Sequence, residues 1–197
     1  MLKEIIILGR GGQGAVTSAT ILVDAASRDG LEAQGFPFFG AERRGAPVAA
    51  FVRVSDRPVR RHGMFNLADI MVVLDPQLHV TGALGKYRLK KGGTLLVNTP
   101  LSLTREWLRV AESFGAGEFH VVDATRIARE LGLVVAGWPV VNTGVLGAFS
   151  RATGLVSLDS IVESIRRYFG GRLGELNARA AVVSYREVKG VVRSLAV

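Results

Sequence analysis

Six residues near the amino terminus, Gly9-Arg10-Gly11-Gly12-Gln13-Gly14, combine types and spacing that suit ligand binding. Gly9, Gly11 and Gly14 fit the pattern G-x-G-x-x-G. They follow an apolar run and open a helix-forming stretch, where glycine permits a tight turn, close approach of a ligand and close helix–strand packing. The helix that follows directs unsatisfied N–H groups and positive potential at whatever lies above it, so a phosphate or other anion fits. Arg10 adds a charge-assisted contact to such a group. The same glycines serve equally well in a purely structural strand–helix turn. A dinucleotide site also needs an acidic residue ending the second strand, to hold the ribose. That region reads Ala33-Gln34-Gly35-Phe36-Pro37, with Glu32 at the wrong end and Glu42 beyond the next loop. The nicotinamide reading therefore lacks its second element.

Other polar residues offer less. Asp75 and Asp123 each end an apolar strand, where they either border a crevice at the carboxyl ends of the strands or cap the next segment through backbone hydrogen bonds. Asn98 and Asn142 have the same two roles open. His62, His79 and His120 are far apart, with no zinc-like spacing, and read as surface or satisfied polar residues. No nucleophile–base–acid trio stands out, so no residue is assigned as catalytic. The chain has no cysteine, which excludes disulfides, cysteine nucleophiles and cysteine-ligated iron–sulfur clusters within it. No metal ligand is assigned either.

Composition sets the frame for these residues. A chain of 197 residues fits one domain, here taken as 1–197. A hydrophobic fraction of 48% and a mean hydropathy of +0.29 supply ample core, with a surplus that suits a buried partner interface. No uninterrupted apolar stretch is long enough to span a membrane, and Ile5–Leu8 is too short for a signal-peptide core. The reading is a cytoplasmic protein with no membrane contact. The net charge of +8, mostly arginine, suits an anionic partner. The basic residues are spread along the chain and no nucleic-acid-binding signature is present, so nucleic acid is not the expected partner.

The elements that must position the glycine loop alternate. Glu4–Leu8 reads as a buried strand, Gln13–Asp29 as a helix closed by Gly30, and Leu31–Gly35 as a second strand. Residues 36–47 mix aromatics, glycine, proline and charge and read as an ordered loop. Val48–Val54 and Arg57–Arg61 are expected to form a hairpin beside the main sheet, turning at Ser55-Asp56. Ile70–Leu74, Leu95–Asn98 and Phe119–Asp123 read as further strands, and Leu101–Phe114 and Gly144–Ala152 as helices. Leu158, Ile161, Val162, Ile165 and Phe169 mark another helix, and Leu176 to Val191 a final long one. The fold class is α/β: a mostly parallel twisted sheet flanked by helices, with an antiparallel hairpin.

The glycine loop combined with the later run Phe36-Pro37-Phe38-Phe39-Gly40-Ala41-Glu42-Arg43-Arg44-Gly45-Ala46-Pro47-Val48 resembles the gamma subunits of pyruvate:ferredoxin and related 2-oxoacid:ferredoxin oxidoreductases. Further matches are Asp75-Pro76, Val97-Asn98-Thr99, Val122-Asp123-Ala124-Thr125 and Asn142-Thr143-Gly144-Val145-Leu146-Gly147-Ala148-Phe149, so the resemblance covers nearly the whole chain. It implies an enzyme that oxidatively decarboxylates a 2-oxoacid with coenzyme A, giving acyl-CoA and CO2 and reducing ferredoxin. It also implies alpha, beta and delta partner subunits. Thiamine diphosphate and magnesium belong to alpha and beta, iron–sulfur clusters to beta and delta, and no cofactor is stably bound by this chain. Gamma is implied to be a structural part near the entry route of coenzyme A, and an isolated chain is expected to form a substitute homodimer. The long aromatic–arginine run looks closer to the pyruvate and 2-oxoisovalerate branches than to the 2-oxoglutarate branch. The other reading is a stand-alone nucleotide- or anion-binding protein using Gly9–Gly14.

On the resemblance, Arg10, Arg43 and Arg44 meet the phosphates of coenzyme A or acidic residues of a partner subunit. Alternatively, the two adjacent arginines pair with Glu42 and order their own loop. Phe36, Phe38 and Phe39 read as interface anchors, because loop aromatics beside Gly and Pro rarely fill a sheet core.

Overall fold

The computed structural model describes residues 1–37 and 45–191. Its first strand, β1 (Leu2–Arg10), is buried continuously from Glu4 to Gly9. A strand with both faces covered needs apolar residues at every position rather than at alternate ones, which the run Ile5-Ile6-Ile7-Leu8 supplies. Helix α1 (Ala15–Arg28) follows, ending in a glycine, Gly30, with left-handed φ. Next come β2 (Glu32–Pro37), β3 (Pro47–Ser55), β4 (Leu67–Val73), β5 (Arg88–Asn98), α2 (Thr104–Ser113), β6 (Glu118–Val122) and α3 (Ala124–Glu130). The rest is β7 (Val134–Val135), β8 (Trp138–Pro139), α4 (Asn142–Thr153), α5 (Leu158–Phe169), α6 (Gly171–Glu187) and β9 (Lys189–Gly190).

Seven strands form one sheet in the order β2-β3-β1-β4-β5-β6-β9. β1, β4, β5 and β6 are successive parallel neighbours, while β3 lies antiparallel between β1 and β2, and β9 antiparallel on β6. β2 therefore runs in the direction of β1 without touching it. Alternate residues of β1 feed two cores. Ile5 and Ile7 pack into the larger one with α1, α3, α4, α5 and α6, whereas Ile6 and Leu8 pack into the other with Trp107 and Ala111 of α2. This is the expected α/β sheet flanked by helices.

The antiparallel pairing is distributed differently from the sequence expectation. Val48–Val54 falls in β3, but Arg57–Arg61 forms no strand. Both edges of β3 are already hydrogen-bonded, to β1 and to β2, so no edge is left for a hairpin partner. A separate small hairpin joins β7 to β8 through Ala136 and Gly137, both at positive φ as a two-residue hairpin turn requires. Phe36 lies within β2, opposite Phe51 of β3, half-buried against the second core rather than in a loop. The final helix stops at Glu187, and Lys189–Gly190 turns back as an edge strand.

Two contacts fix how the helices sit. Gly147 of α4 faces Ala181 of α6 so closely that a Cβ on Gly147 would lie 1.9 Å from the Ala181 carbonyl oxygen. At the carboxyl end of α1, Asp29 caps α5: its carboxylate accepts from Ser157 N at 2.6 Å, Ser157 Oγ at 2.7 Å and Ser160 Oγ at 2.6 Å. Burial pushes the Asp29 carboxyl up, but hydrogen bonds from Ser160 and Ser157 outweigh it and hold the group below its ordinary value.

Gly147→Ala is therefore expected to destabilise the chain by about 1–3 kcal/mol, because backbone rather than a movable side chain must yield; a urea midpoint equal to wild type would refute the close packing. For Asp29, a carboxylate with a depressed pKa stabilises fully above its unfolded value, about 3.9, and loses that contribution as pH falls through the folded value. The stability gap between wild type and Asp29→Asn should be full at neutral pH and shrink below about pH 4. Urea titrations at both pH values test this, and a gap independent of pH counts against the cap.

Candidate functional site

The carboxyl ends of β1, β4, β5 and β6 form one edge, where Arg10, Asp75, Asn98 and Asp123 lie. Between β1 and β4 the chain order reverses, since β1 leads to β2 on one side and β4 lies on the other. In open α/β sheets this reversal opens a crevice for ligands. Here Asp75 spans it. Its Oδ2 accepts from Arg10 Nε at 3.0 Å and from Gln13 Nε2 at 2.8 Å, and its Oδ1 accepts from Gln77 N at 2.8 Å. Arg10 Nη1 also donates to the Gly45 carbonyl at 3.3 Å.

Glycine is required in this loop for separate reasons. Gly12 and Gly14 have φ of 97° and 82°, a left-handed backbone that other residues adopt at a cost. A Cβ on Gly14 would also lie 2.6 Å from Asn142 Nδ2. Gly11 continues the ladder with the end of the second motif, donating to Ala46 O at 2.9 Å and accepting from Gly45 N at 3.2 Å. Arg10 N donates to Gln13 Oε1 at 2.7 Å and Gln13 N to Arg10 O at 2.9 Å. Several loop donors are thus used internally. The first-turn N–H groups of α1 have no acceptor within the helix and face the edge.

Around this loop the other polar residues fix backbone. Asn98, buried, donates through Nδ2 to Leu74 O at 2.8 Å and Thr125 Oγ1 at 3.0 Å, and accepts from Thr125 N at 3.2 Å, tying the end of β4 to the start of α3. Asp123 caps α3 by accepting from Arg126 N at 2.9 Å. Asn142 opens α4, buried over Gly14, and its Oδ1 has no hydrogen-bond partner among the described residues. His79 bridges Pro76 O at 2.6 Å and Glu106 Oε1 at 2.8 Å, edge-on to Trp107. Beside Gly9, on the face of the second core, lies a cleft of about 330 Å³ bordered by Pro47, Leu78, Lys86 and Tyr87.

Gly9 to Gly14 are thus brought together. Arg43 and Arg44, with Glu42, Phe38 and Phe39, lie outside the described residues. The Arg10–Asp75 pair escaped sequence reasoning: Asp75 is visible as an acid just beyond β4, the parallel neighbour of β1, but nothing in the sequence names Arg10 as its partner. The missing ribose acid also has a structural counterpart. A nucleotide fold sets its second parallel strand beside the first, whereas here antiparallel β3 occupies that place. Among the described residues no group of three His, Asp or Glu side chains is placed to hold a metal, and no helix is long and apolar enough to cross a membrane.

Fold and site define an open α/β protein whose glycine-rich strand–helix turn sits at the switch point, tied down by its own ion pair and accompanied by no catalytic trio. The sequence model for pyruvate ferredoxin/flavodoxin oxidoreductase matches residues 4–187. The chain belongs to this family, as a chain of the gamma-subunit type. It is 46% identical, over 93% of its length and 96% of the relative, to the pyruvate/ketoisovalerate oxidoreductases common subunit gamma of Thermococcus kodakarensis. It is also 46% identical to pyruvate synthase subunit PorC of Methanothermobacter marburgensis, over 94% of this chain and 97% of that one. The crystal structure of pyruvate oxidoreductase subunit PORC from Thermotoga maritima superposes with a TM-score of 0.79 at 35% identity, covering 97% of this chain and 99% of that one.

If Asp75 is the anchor of the loop, Asp75→Asn should cost about 1.5–3 kcal/mol, the range for hydrogen bonds to a charged group. Asp75→Asn and Arg10→Met should be non-additive, with a coupling of about 0.5–3 kcal/mol in a double-mutant cycle. Additive unfolding energies would show that the two side chains do not depend on each other.

Proposed function

We propose that this chain serves as the gamma subunit of a pyruvate-type 2-oxoacid:ferredoxin oxidoreductase, working in the cytoplasm beside alpha, beta and delta subunits. The complex oxidatively decarboxylates a 2-oxoacid: the bond between its carboxylate and carbonyl carbons breaks, CO2 leaves, the acyl group passes to coenzyme A and electrons pass to ferredoxin. The observation that carries this reading is end-to-end similarity to gamma-type chains, with 96% of the Thermococcus subunit covered. The donor set agrees with a division of labour. A chain without cysteine cannot ligate iron–sulfur clusters through thiolates, and the described residues offer no cage for a metal. Thiamine diphosphate with magnesium, and the clusters, belong to the partner subunits, where the redox chemistry takes place.

The contribution of this chain is binding and positioning. The Gly9–Gly14 loop, with the first-turn N–H groups of α1 and the amide of Asn142 beside it, is suited to a phosphate of coenzyme A or a carboxylate of a partner subunit. Arg10 holds the loop through Asp75 and reaches Gly45, and Arg43 and Arg44, which precede Gly45 in the sequence, supply the charge. Phe38 and Phe39 anchor the subunit interface. Without its partners the chain buries that surface against a second copy of itself.

Two measurements test the reading. Affinity purification from the native cells should recover thiamine-binding and cysteine-rich chains together with coenzyme A-dependent reduction of a ferredoxin-like dye by pyruvate. Recovery of the chain alone, without that activity, would favour a stand-alone anion-binding protein. In the intact complex, Arg43→Ala with Arg44→Ala should raise the KM for coenzyme A about tenfold, the equivalent of roughly 1.4 kcal/mol of binding. Unchanged kinetics would remove coenzyme A from this site.

A further inference from the structure

The opposite, amino-terminal end of the sheet carries a second buried charge cluster. Glu4 of β1 and Arg53 of β3 are register partners, both buried, with Arg53 Nε donating to Glu4 Oε1 at 3.0 Å. Lys90 Nζ lies 3.2 Å from Glu4 Oε2 and 2.8 Å from Asp69 Oδ2, and Asp69 Oδ2 also accepts from Glu4 N at 2.8 Å. Buried pairs seldom add net stability over apolar residues of equal volume, because desolvation offsets their attraction. This pair supplies geometry instead. Arg53 Nη1 donates to the carbonyls of Gly63 at 2.9 Å and Arg61 at 3.3 Å, and its guanidinium lies 4.6 Å from the Phe65 ring and 5.6 Å from Phe36.

Those contacts immobilise a loop with no regular structure, residues 57–66. Gln34 Nε2 donates to Val59 O at 2.7 Å, Arg57 N donates to Ser55 Oγ at 3.1 Å, and Phe65 packs edge-on to Phe51. Outward the loop presents Arg57, Arg60, Arg61, His62 and Met64, all exposed. Among the described residues Arg57, Arg60 and Arg61 enter no ion pair; other exposed arginines, such as Arg105 and Arg109, share this, but here three stand within five residues.

We propose that this clamped loop is a docking surface for an acidic face of another protein subunit. The inference rests on the subunit reading above, and it concerns the end of the sheet away from the glycine loop. A loop held at several backbone points has met its ordering cost before association. Guanidinium groups outside internal ion pairs match carboxylates in bidentate geometry; of the three, Arg57 also feels the neighbouring Asp56 carboxylate, which pairs with the amino terminus. Met64, 59% exposed, and Leu67, 45% exposed, add apolar area next to the charges. Arginine together with methionine is the composition of a protein interface, whereas a nucleic-acid backbone would be met by charge alone.

The test uses the tagged full chain expressed in its native cells, as wild type and as Arg57→Glu/Arg60→Glu/Arg61→Glu. All three positions are exposed, so circular dichroism and thermal melting should match wild type. The variant is expected to recover the thiamine-binding and cysteine-rich subunits at least tenfold less well, and wild-type recovery should fall in about 0.5 M salt, where screening is nearly complete. If the triple variant unfolds, Arg60→Glu alone should still lower recovery about threefold, and unchanged recovery there overturns the proposal. Equal recovery by folded triple variant and wild type overturns the docking surface while leaving the subunit reading intact. Recovery of no such subunits by wild type overturns the subunit reading, and this surface with it. Unchanged subunit recovery with loss of duplex-DNA binding by the variant would assign the loop to nucleic acid instead.

Discussion

The carboxylate of Asp75 stands where β1 and β4 part, and three groups from different segments converge on it: the Arg10 guanidinium, the Gln13 amide and the backbone N–H of Gln77. A nearly buried carboxylate must be paired, because leaving it unpaired out of water costs more than any one hydrogen bond returns. Meeting that demand fixes the path of the glycine loop, and Arg10 in turn reaches Gly45, within the second long motif. The two stretches that mark the family are thus joined in space by one acid that belongs to neither.

The same arrangement recurs at the other end of β1. Glu4 near its start is matched by Arg53 from β3 and by Lys90, which also holds Asp69 of β4. Burial pulls the Lys90 ammonium down, but the hydrogen bonds it donates to Asp69 and Glu4 more than compensate and raise it. Between the two charge clusters β1 is wholly apolar. A central strand with a polar knot at each end has one register against its neighbours, since a slip of one residue would bury a charge against hydrocarbon.

Among the described residues, the polar side chains along the carboxyl edge are engaged in holding structure. Asn98, Asp123 and Gln13 direct their polar atoms at backbone, at the Thr125 hydroxyl or at the Asp75 carboxylate, which leaves helix-terminal N–H groups to face a ligand or partner. That fits a chain whose relatives bear the names of subunits. Loops held by a rigid sheet can meet a ligand or a partner without a large conformational penalty.

Much of this was legible before any coordinates. Continuous β-branched and leucine runs mark strands covered on both faces, and glycine after β1 marks the turn into α1. The lack of cysteine excludes cysteine-ligated iron–sulfur clusters from this chain by itself, because no fold can supply an absent ligand. The order of strands was not legible: β3 reads locally as half of a hairpin with Arg57–Arg61, yet it inserts between β1 and β2. Local pattern reports burial and period, and both are the same whether a strand pairs with its neighbour in sequence or with one arriving from elsewhere. For the same reason the acid that ends the β4 run can be read in the chain, but its pairing with Arg10, 65 residues away, cannot. Residue types were set by the sequence alone, and tertiary structure decided which charges meet, because an ion pair depends on distance in space and a sequence specifies only distance along the backbone.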